Sequence, residues 1–357
     1  NMLKEYSEDV LVEKEAVKFL TENFKYQHLD CFEEFKTGQS FLGRENASEV
    51  ILTTKLREAL STLNPELPLE AVENAIVELK KDRSKMSPVN ANKEIYNLIK
   101  ERVKVKVRID GKIVDKLVKV IDFEDYSKNE FFIATQFWIT GEIYKRRPDL
   151  ILFVNGLPLV LMEFKSTQEN IQKAFSDNIT DYKDTIPQIF WYNSFVLISN
   201  GLDSKLGTLT ASYEHFSNWK KLKEDDKKPS IFLDQILKGT CSPENILDLI
   251  ENFILYTSIN NKEIKIIAKN HQFLGVNRSV ESFKKRKENQ GRLGVFWHTQ
   301  GSGKSFSMIF LAQKILRKFQ GNYTFVVVTD RDELDDQIYK NFQDSGVVTE
   351  KNVQAKD

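Results

Sequence analysis

Residues 147–166, RPDLILFVNGLPLVLMEFKS, decide the fold of this chain of 357 residues. Two apolar runs in this stretch are separated by residues 155–158, whose Asn-Gly pair is typical of the turn of a β-hairpin. Glu163 and Lys165 are two residues apart on the second run, so both side chains lie on one face of the strand. The stretch therefore predicts a buried hairpin that presents Asp149, Glu163 and Lys165 at one end.

The length of the hairpin loop decides whether Asp149 and Glu163 lie on the same face. A turn of two residues places Asp149 opposite Met162 or Phe164, and its carboxylate then points away from Glu163. A loop of three residues, or a β-bulge in one strand, places Asp149 directly opposite Glu163. If the two carboxylates act together, the sequence predicts an odd-numbered loop or a bulge in this hairpin.

Two carboxylates and a lysine are the side chains that metal-dependent hydrolysis of a phosphodiester requires. Asp149 and Glu163 would hold a divalent cation, expected to be Mg²⁺, through their oxygens. Lys165 would orient or deprotonate water, or neutralise the charge that develops in the transition state. The Asp-x13-Glu-x-Lys spacing is loose, so an edge hairpin with polar ends is the alternative. Lys145-Arg146-Arg147 is either a solvated strand end or a contact for DNA phosphate.

A second motif, HTQGSGKS at residues 298–305, is typical of a loop that binds nucleotide phosphates. Backbone amides of a Gly-rich loop at a helix N-terminus bind phosphate because the helix leaves these donors unpaired. The surrounding pattern predicts a strand at 293–297, a helix at 304–319 and a second strand at 323–329, which is a βαβ unit.

Within this loop Lys304 would reach the β- and γ-phosphates of ATP, and Ser305 would hold Mg²⁺. His298 stands where the standard pattern has its first glycine. The predicted phosphate-binding residues are Thr299, Gln300, Gly301, Ser302, Gly303, Lys304 and Ser305.

Length and composition indicate a soluble protein of at least two domains. Hydrophobic residues make up 41% and charged residues 29% of the chain, and no apolar run approaches membrane-spanning length. We therefore expect a cytoplasmic protein with no membrane partner. Lysine plus arginine equals aspartate plus glutamate at 52 each, which does not favour nonspecific coating of nucleic acid. Cys31 and Cys241 are too few for a disulfide framework.

The pattern along the chain predicts an α/β fold. Residues 1–62 read as mostly helical, and a strand at 103–109 turns at Asp110-Gly111 into a hairpin. Residues 171–184 read as a helix. We place a domain boundary near residue 260, so that the hairpin motif and the nucleotide motif lie in different domains.

The two motifs together resemble a known family. Pro148-Asp149, followed by Glu163-Phe164-Lys165, matches the pattern of the PD-(D/E)xK nuclease superfamily. Residues 147–166, 186–190 and 197–201 are similar to the restriction (R) subunit of type I restriction-modification enzymes. The resemblance implies a restriction-endonuclease-like domain at 1–260, with a central mixed sheet flanked by helices. A partial RecA-like P-loop lobe would follow at 261–357.

The resemblance also implies roles for further residues. In the family a Gln-x-x-x-Tyr helix supports the site, which corresponds here to Asn178 and Tyr182, with asparagine in place of glutamine. A packing residue is the alternative for Tyr182. Glu49 is a candidate for an extra carboxylate from an early helix, the alternative being an exposed helix carboxylate. Gln272 would read adenine, unless it is a surface glutamine. Residues 330–337 resemble a DNA-contacting helicase motif.

The implied activity is that of an endonuclease and ATP-dependent DNA translocase subunit, which cuts double-stranded DNA at nonspecific sites far from the recognition sequence. Its implied partners are the modification and specificity subunits, and its cofactors are Mg²⁺ and ATP. No Asp-Glu-x-His motif follows the loop, so we expect a fragment with little ATP hydrolysis. The alternatives are a silent DNA-binding or assembly module and a nuclease-helicase of another ATP-dependent restriction or repair system. A type III subunit is disfavoured, because there the motor precedes the nuclease.

Overall fold

The computed structural model describes residues 8–328 and 338–343. The α-helices are α1 (Glu8–Phe24), α2 (Thr53–Leu63), α3 (Leu69–Lys80), α4 (Pro88–Glu101), α5 (Thr180–Thr185), α6 (Leu233–Thr240), α7 (Pro243–Asn252), α8 (Asn270–Lys284) and α9 (Lys304–Lys318). The strands are β1 (Gln27–Asp30), β2 (Val103–Ile109), β3 (Lys112–Val118), β4 (Phe131–Thr135), β5 (Ile139–Thr140), β6 (Lys145–Arg146), β7 (Leu150–Val154), β8 (Leu157–Phe164), β9 (Phe195–Ser199), β10 (Ser204–Gly207), β11 (Ile254–Ile259) and β12 (Lys262–Ile267).

A six-stranded mixed sheet forms the centre of the fold, in the order β1-β4-β7-β8-β9-β10. β1 runs parallel to β4 and β8 parallel to β9, while the other neighbours are antiparallel. Every residue of β7, β8 and β9 is buried. This burial explains why these strands read as continuous apolar runs rather than alternating ones. The predicted α/β class with a central mixed sheet is confirmed.

The predicted hairpin is formed by β7 and β8, and it contains the predicted bulge. Asn155 and Gly156 make a two-residue turn with φ angles of 52° and 84°, which is the positive-φ geometry that an Asn-Gly turn favours. The register then shifts by one residue between Leu152 and Phe153, so that Leu150 lies opposite Met162. Asp149 is thereby opposite Glu163, as the sequence required.

The expectation that residues 1–62 are mostly helical is wrong in part. β1 interrupts the helices and pairs with β4, about a hundred residues further along the chain. Residues 47–52 lie before α2 rather than in it. The Leu52 amide donates to the Gly156 carbonyl oxygen at 2.9 Å, so the β7–β8 turn holds the chain in a non-helical course up to α2.

The two strands predicted around the nucleotide loop are not formed in the structure. Residues 293–297 and 323–328 follow a course without strand pairing, whereas the predicted helix between them is α9. Val295 is 94% exposed and Val326 is 81% exposed. A strand is defined by hydrogen bonds to a neighbour, and the described part of the chain supplies no neighbour for either segment. Thr329 and residues 330–337 lie outside the described residues.

Helix α9 is joined to the rest of the molecule by ion pairs. Lys314 contacts both carboxylate oxygens of Asp248 at 2.6 and 2.7 Å, and Lys318 contacts Glu251 at 2.6 Å. The predicted domain boundary at residue 260 lies in the turn between β11 and β12. The boundary stays a prediction, since this hairpin continues on both sides of it.

Among the described residues, no helix combines the length and the apolar character needed to cross a membrane. Cys31 and Cys241 are both buried and unpaired.

The close approach of Gly156 to α2 generates a stability prediction. A β-carbon at Gly156 would lie 2.7 Å from both the Leu52 oxygen and the Leu56 nitrogen, whereas one at Gly111, in the β2–β3 turn, would meet nothing within 4 Å. Both glycines have positive φ, at 84° and 77°. We expect Gly111→Ala to cost about 1–2 kcal/mol from backbone strain alone. Gly156→Ala should cost about 1–3 kcal/mol more, because backbone atoms must also move.

Equilibrium denaturation of the two variants and the parent protein measures this difference. Equal losses for both variants would mean that the contact between the hairpin turn and α2 does not constrain the fold.

Candidate active site

The bulge brings the carboxylates of Asp149 and Glu163 together through reciprocal hydrogen bonds. The Asp149 backbone N–H donates to Glu163 Oε1 at 3.1 Å, and the Phe164 backbone N–H donates to Asp149 Oδ2 at 2.8 Å. Each carboxylate is therefore held by the strand that carries the other. Glu163 is fully buried and Asp149 is partly buried. The structure thus assembles the predicted pair at the end of two adjacent strands.

Burial dominates the electrostatics of this pair. It raises the pKa of Glu163 well above its usual range, and the neighbouring charge of Asp149 adds to the shift. Burial also raises the pKa of Asp149, against the opposing effects of the Phe164 N–H and of the Lys165 charge. Glu163 Oε2 is buried without a hydrogen-bond partner. Oxygen ligands with an unsatisfied acceptor fit a divalent cation, whose charge would offset the cost of burying the carboxylates.

Lys165 follows directly after β8 and is partly exposed. Its backbone N–H donates to the Ser199 carbonyl oxygen at 2.9 Å, which extends the pairing of β8 with β9 to this residue. Its charge partly opposes the rise in the pKa of Asp149 that burial causes. Lys165 is therefore placed beside the carboxylate pair, with its backbone held by the sheet.

Asn178 and Tyr182 lie beside the pair, on the helical segment before β9. Residues 174–179 form a π-helical turn, a feature frequent at functional sites, and α5 continues from it. Asn178 Nδ2 donates to the Tyr182 hydroxyl at 3.5 Å, and Asn178 Oδ1 is buried without a partner. Burial and the charge of Glu163 both raise the pKa of Tyr182. The supporting role of the two residues stays a prediction.

A third carboxylate near the pair was missed in the sequence. Glu13 on α1 has its pKa raised to about 7, first by burial and then by the charge of Asp149. Glu49, the candidate taken from the sequence, is not on a helix and pairs with Lys80 at 2.7 Å. In the sequence, Glu13 is distinguished only by its position beside the apolar stripe that includes Val12. Which residues that stripe faces is decided by helix packing, so the sequence does not show that Glu13 lies near Asp149.

Within the described ranges, no three histidine, cysteine or acidic side chains converge into a group that could hold a metal ion. Glu13 is therefore a nearby charge and does not form a group of three with Asp149 and Glu163, whose role as metal ligands stays a prediction.

The predicted phosphate loop leads directly into α9. Gly301 and Gly303 adopt positive φ angles of 77° and 83°, and Lys304 is the first helical residue. Lys304 Nζ donates to the His298 carbonyl oxygen at 2.7 Å across the loop. Residues 299–305 are thus brought into one turn at the N-terminus of a helix, which is the geometry that binds phosphate.

Gln272 lies against this loop and is buried, so the surface alternative is wrong. Its Nε2 donates to the Gly303 carbonyl oxygen at 2.9 Å, and its Oε1 accepts from the Lys269 backbone N–H at 2.8 Å. Both ends of the amide are engaged by protein groups. His271, which the sequence did not single out, contacts the Ser302 carbonyl oxygen through Nε2 at 2.9 Å. The role of Gln272 in reading adenine stays a prediction.

Residues 5–215 match the family described as type I restriction enzyme R protein N terminus, which covers more than half of the chain. The chain belongs to this family. Residues 271–357 match the SWI2/SNF2 ATPase family, so the R-protein match contains the carboxylate pair and the ATPase match contains the phosphate loop.

Individual relatives agree with the family match. The chain is 38% identical over 312 residues to the type I restriction enzyme HindI endonuclease subunit of Haemophilus influenzae, covering 84% of this chain and 29% of that protein. It is 32% identical over 371 residues to a putative type I restriction enzyme MjaIXP endonuclease subunit of Methanocaldococcus jannaschii, covering 94% of this chain and 34% of that protein. This R-family chain therefore spans about a third of the length of these relatives.

The electrostatics of the carboxylate pair generate a prediction on metal binding. Because the pKa values of these carboxyl groups are raised on folding, the folded protein holds more protons than the unfolded chain. For Glu13, this difference in bound protons exists between about pH 4.5 and pH 7. Metal-free stability should therefore fall as pH rises through this range. Because ligating carboxylates must be deprotonated, Mg²⁺ or Mn²⁺ should raise Tm more at pH 8 than at pH 5.5. At a hundredfold excess of the ion over its Kd, the free energy of unfolding should rise by about 2.7 kcal/mol.

Thermal unfolding of Glu163→Gln tests the assignment without an activity assay. The variant should lose the metal-induced rise in Tm and, at pH 8, should be more stable than the parent protein without metal, because a buried charge is removed. Glu49→Gln is the matched control and should keep the metal response. A metal-induced rise that is the same in Glu163→Gln and in the parent protein would contradict the site.

Proposed function

We propose that this chain is the nuclease and nucleotide-binding part of a type I restriction endonuclease subunit, and that it hydrolyses the phosphodiester backbone of double-stranded DNA. The observation that supports this most is the pair of buried carboxylates, Asp149 and Glu163, held face to face beside Lys165. Burying two carboxyl groups side by side destabilises a fold. Their presence is explained if a cation and a phosphate complete the site.

In this proposal each side chain has a defined task. Asp149 and Glu163 hold Mg²⁺, which supplies polarisation of the scissile phosphate and an acidified water when it is bound. Lys165 orients or deprotonates the attacking water, or neutralises charge on the phosphate. Tyr182, with Asn178 beside its hydroxyl, supports the position of Glu163.

The remaining functions concern the intact subunit. The loop at 299–305 binds ATP, with Lys304 on the phosphates and Ser305 on Mg²⁺. The complete motor translocates duplex DNA, and the nuclease cuts at nonspecific sites when translocation stalls. Modification and specificity subunits assemble with the protein, and the specificity subunit chooses the recognition sequence. The SWI2/SNF2 ATPase match supports nucleotide binding, and the names of the relatives support a role in a type I restriction enzyme.

Nicking of supercoiled plasmid by this chain with Mg²⁺ or Mn²⁺ tests the nuclease centre. Loss of an acid–base group costs about 10²–10⁴ in rate, so Lys165→Ala should reduce nicking by at least that lower factor. Lys173→Ala is the control, since this exposed lysine pairs with Glu169 on the surface. Nicking that survives in Lys165→Ala, or that is lost equally in Lys173→Ala, would count against the assignment and favour a silent DNA-binding module.

Titration with a fluorescent ATP analogue tests the nucleotide loop. Losing one charged hydrogen bond of about 1.5–3 kcal/mol corresponds to about 10–100-fold in affinity, which is the loss expected for Lys304→Ala. Lys284→Ala, an exposed lysine paired with Glu281 on α8, should bind as the parent protein does. ATP turnover by the chain should be little or none. Equal ATP affinity in Lys304→Ala and the parent protein would show that the assignment of the loop is wrong. Substantial ATP turnover by the chain would show that the domain assignment is wrong.

A further inference from the structure

The β5–β6 hairpin is a small element next to the carboxylate pair that the proposed chemistry does not use. Its strands pair Ile139 with Arg146 and Thr140 with Lys145, and its tip is formed by residues 141–144. Asp149 follows β6 within three residues. Any polymer that occupies the site must therefore pass close to this hairpin.

The hairpin is held rigidly at its base. The Thr140 N–H donates to the Ala47 carbonyl oxygen at 2.8 Å, and Gln188 Nε2 donates to the Thr140 carbonyl oxygen at 2.9 Å. A β-carbon at Gly141 would lie 1.8 Å from the Thr185 oxygen, so only glycine allows the hairpin to pack this closely on α5. The tip is therefore presented on a fixed support.

The three basic residues Lys145, Arg146 and Arg147 differ in their contacts: one is ion-paired within the protein and two are exposed. Arg146 makes a two-pronged ion pair with Asp181 on α5, at 2.5 and 3.0 Å, and its charge is used within the protein. Lys145 and Arg147, on either side of Arg146 in the chain, are exposed, and Arg147 Nη1 donates to Gln136 Oε1 at 2.5 Å. Arg147 also acts on the active site, since its charge lowers the pKa of Asp149 after larger effects from burial and hydrogen bonds.

Large apolar side chains are exposed at and beside the tip. Ile143 is 81% exposed, Tyr144 51% and Trp138 47%. Clefts flank the hairpin, one of about 710 Å³ beside residues 140–144 and one of about 410 Å³ beside residues 145–147. The smaller cleft is also lined by Asn178 and by Tyr182, whose pKa is raised by burial and by the charge of Glu163. We call the exposed surface of this hairpin the ridge. Its crest is the apolar pair Ile143 and Tyr144, and its cationic flank is formed by Lys145 and Arg147.

We propose that the β5–β6 hairpin is a DNA-contacting ridge, in which Ile143 and Tyr144 enter the minor groove of the duplex while Lys145 and Arg147 bind phosphates of the strand that leads into the active site. This inference rests on the proposed nuclease function and names the element that positions its substrate. Apolar side chains on a rigid support insert between base steps in the minor groove, and cationic side chains beside them take the phosphates.

The distribution of charge supports DNA as the occupant. Lys145, Arg146 and Arg147 line the smaller cleft together with Asp177 and Asp181. Because Arg146 pairs with Asp181, two cationic side chains remain there against the one carboxylate of Asp177. Glu142 lies at the tip beside the larger cleft, away from this flank. In this arrangement Lys145 and Arg147 make the phosphate contacts, and Ile143 and Tyr144 make the groove contact.

The test compares this hairpin with β2–β3, which offers matched side chains on a second hairpin. Ile113 is 67% exposed there, and Lys112 is exposed beside it. Binding of the chain to a short labelled duplex is measured by fluorescence anisotropy without divalent metal, between about 50 and 200 mM salt. The variants are Lys145→Gln and the double variant Ile143→Ser/Tyr144→Ser, with Lys112→Gln and Ile113→Ser as controls.

Distinct results are expected for the two kinds of variant. Lys145→Gln should lower the slope of log affinity against log salt by about 0.9, with about a tenfold loss near 0.1 M salt, because one phosphate contact is removed. The double variant should lose about tenfold in affinity with an unchanged slope, because the contact it removes is apolar. The β2–β3 controls should bind as the parent protein does, and exposed positions should leave Tm unchanged in all four variants.

Binding by the β5–β6 variants tests the hairpin, and nicking by Lys165→Ala tests the nuclease assignment, so the two proposals can fail separately. If the β5–β6 variants bind DNA as tightly as the controls while the parent protein nicks plasmid and Lys165→Ala does not, the ridge is wrong and the nuclease stands. If the β5–β6 variants bind weakly but Lys165→Ala nicks as the parent does, the ridge stands and the catalytic centre is wrong. If the parent protein neither binds nor nicks DNA, both are overturned.

Discussion

One added residue in a strand pairing is the constraint on which the rest of the site depends. The β-bulge in the β7–β8 hairpin shifts the register by one, and with a side-chain period of two this moves Asp149 onto the face of Glu163. Without it, the aspartate would face the opposite side of a sheet that is buried on both faces. The reciprocal bonds from the Asp149 and Phe164 amides then hold the two carboxylates at a fixed separation, in a place where burial alone opposes their ionisation.

Around this pair, the fold collects side chains that are far apart in the chain. Helix α1 contributes Glu13, and the segment before β9 contributes Tyr182, whose pKa is raised by burial and by Glu163. Lys165 is placed by the pairing of β8 with β9. Burial and mutual repulsion raise the pKa values of these carboxyl groups, and the charges of Lys165 and Arg147 only partly oppose the rise at Asp149. The proposal of a divalent cation at this site depends on that imbalance more than on the motif spacing.

The predicted phosphate loop at residues 299–305 is connected to α7 through α9. The loop is at the N-terminus of α9, and the other end of the helix is joined by Lys314 and Lys318 to Asp248 and Glu251 of α7. These pairs are largely buried, so a shift of α9 relative to α7 would leave charges unpaired.

The sequence by itself determined the local features, whose causes lie within a few residues. The Asn155-Gly156 turn, the apolar runs of β7 and β8, the helix after the Gly-rich loop and the need for a bulge were all predicted, because turn chemistry and side-chain period are local properties. Tertiary structure alone decided what depends on distant partners. It paired β1 with β4, paired Glu49 with Lys80 and set Glu13 near Asp149, and paired Arg146 with Asp181. It also left residues 293–297 without strand pairing in the described part of the chain. Each of these outcomes is set by which element packs against which, and that information is distributed over the whole chain.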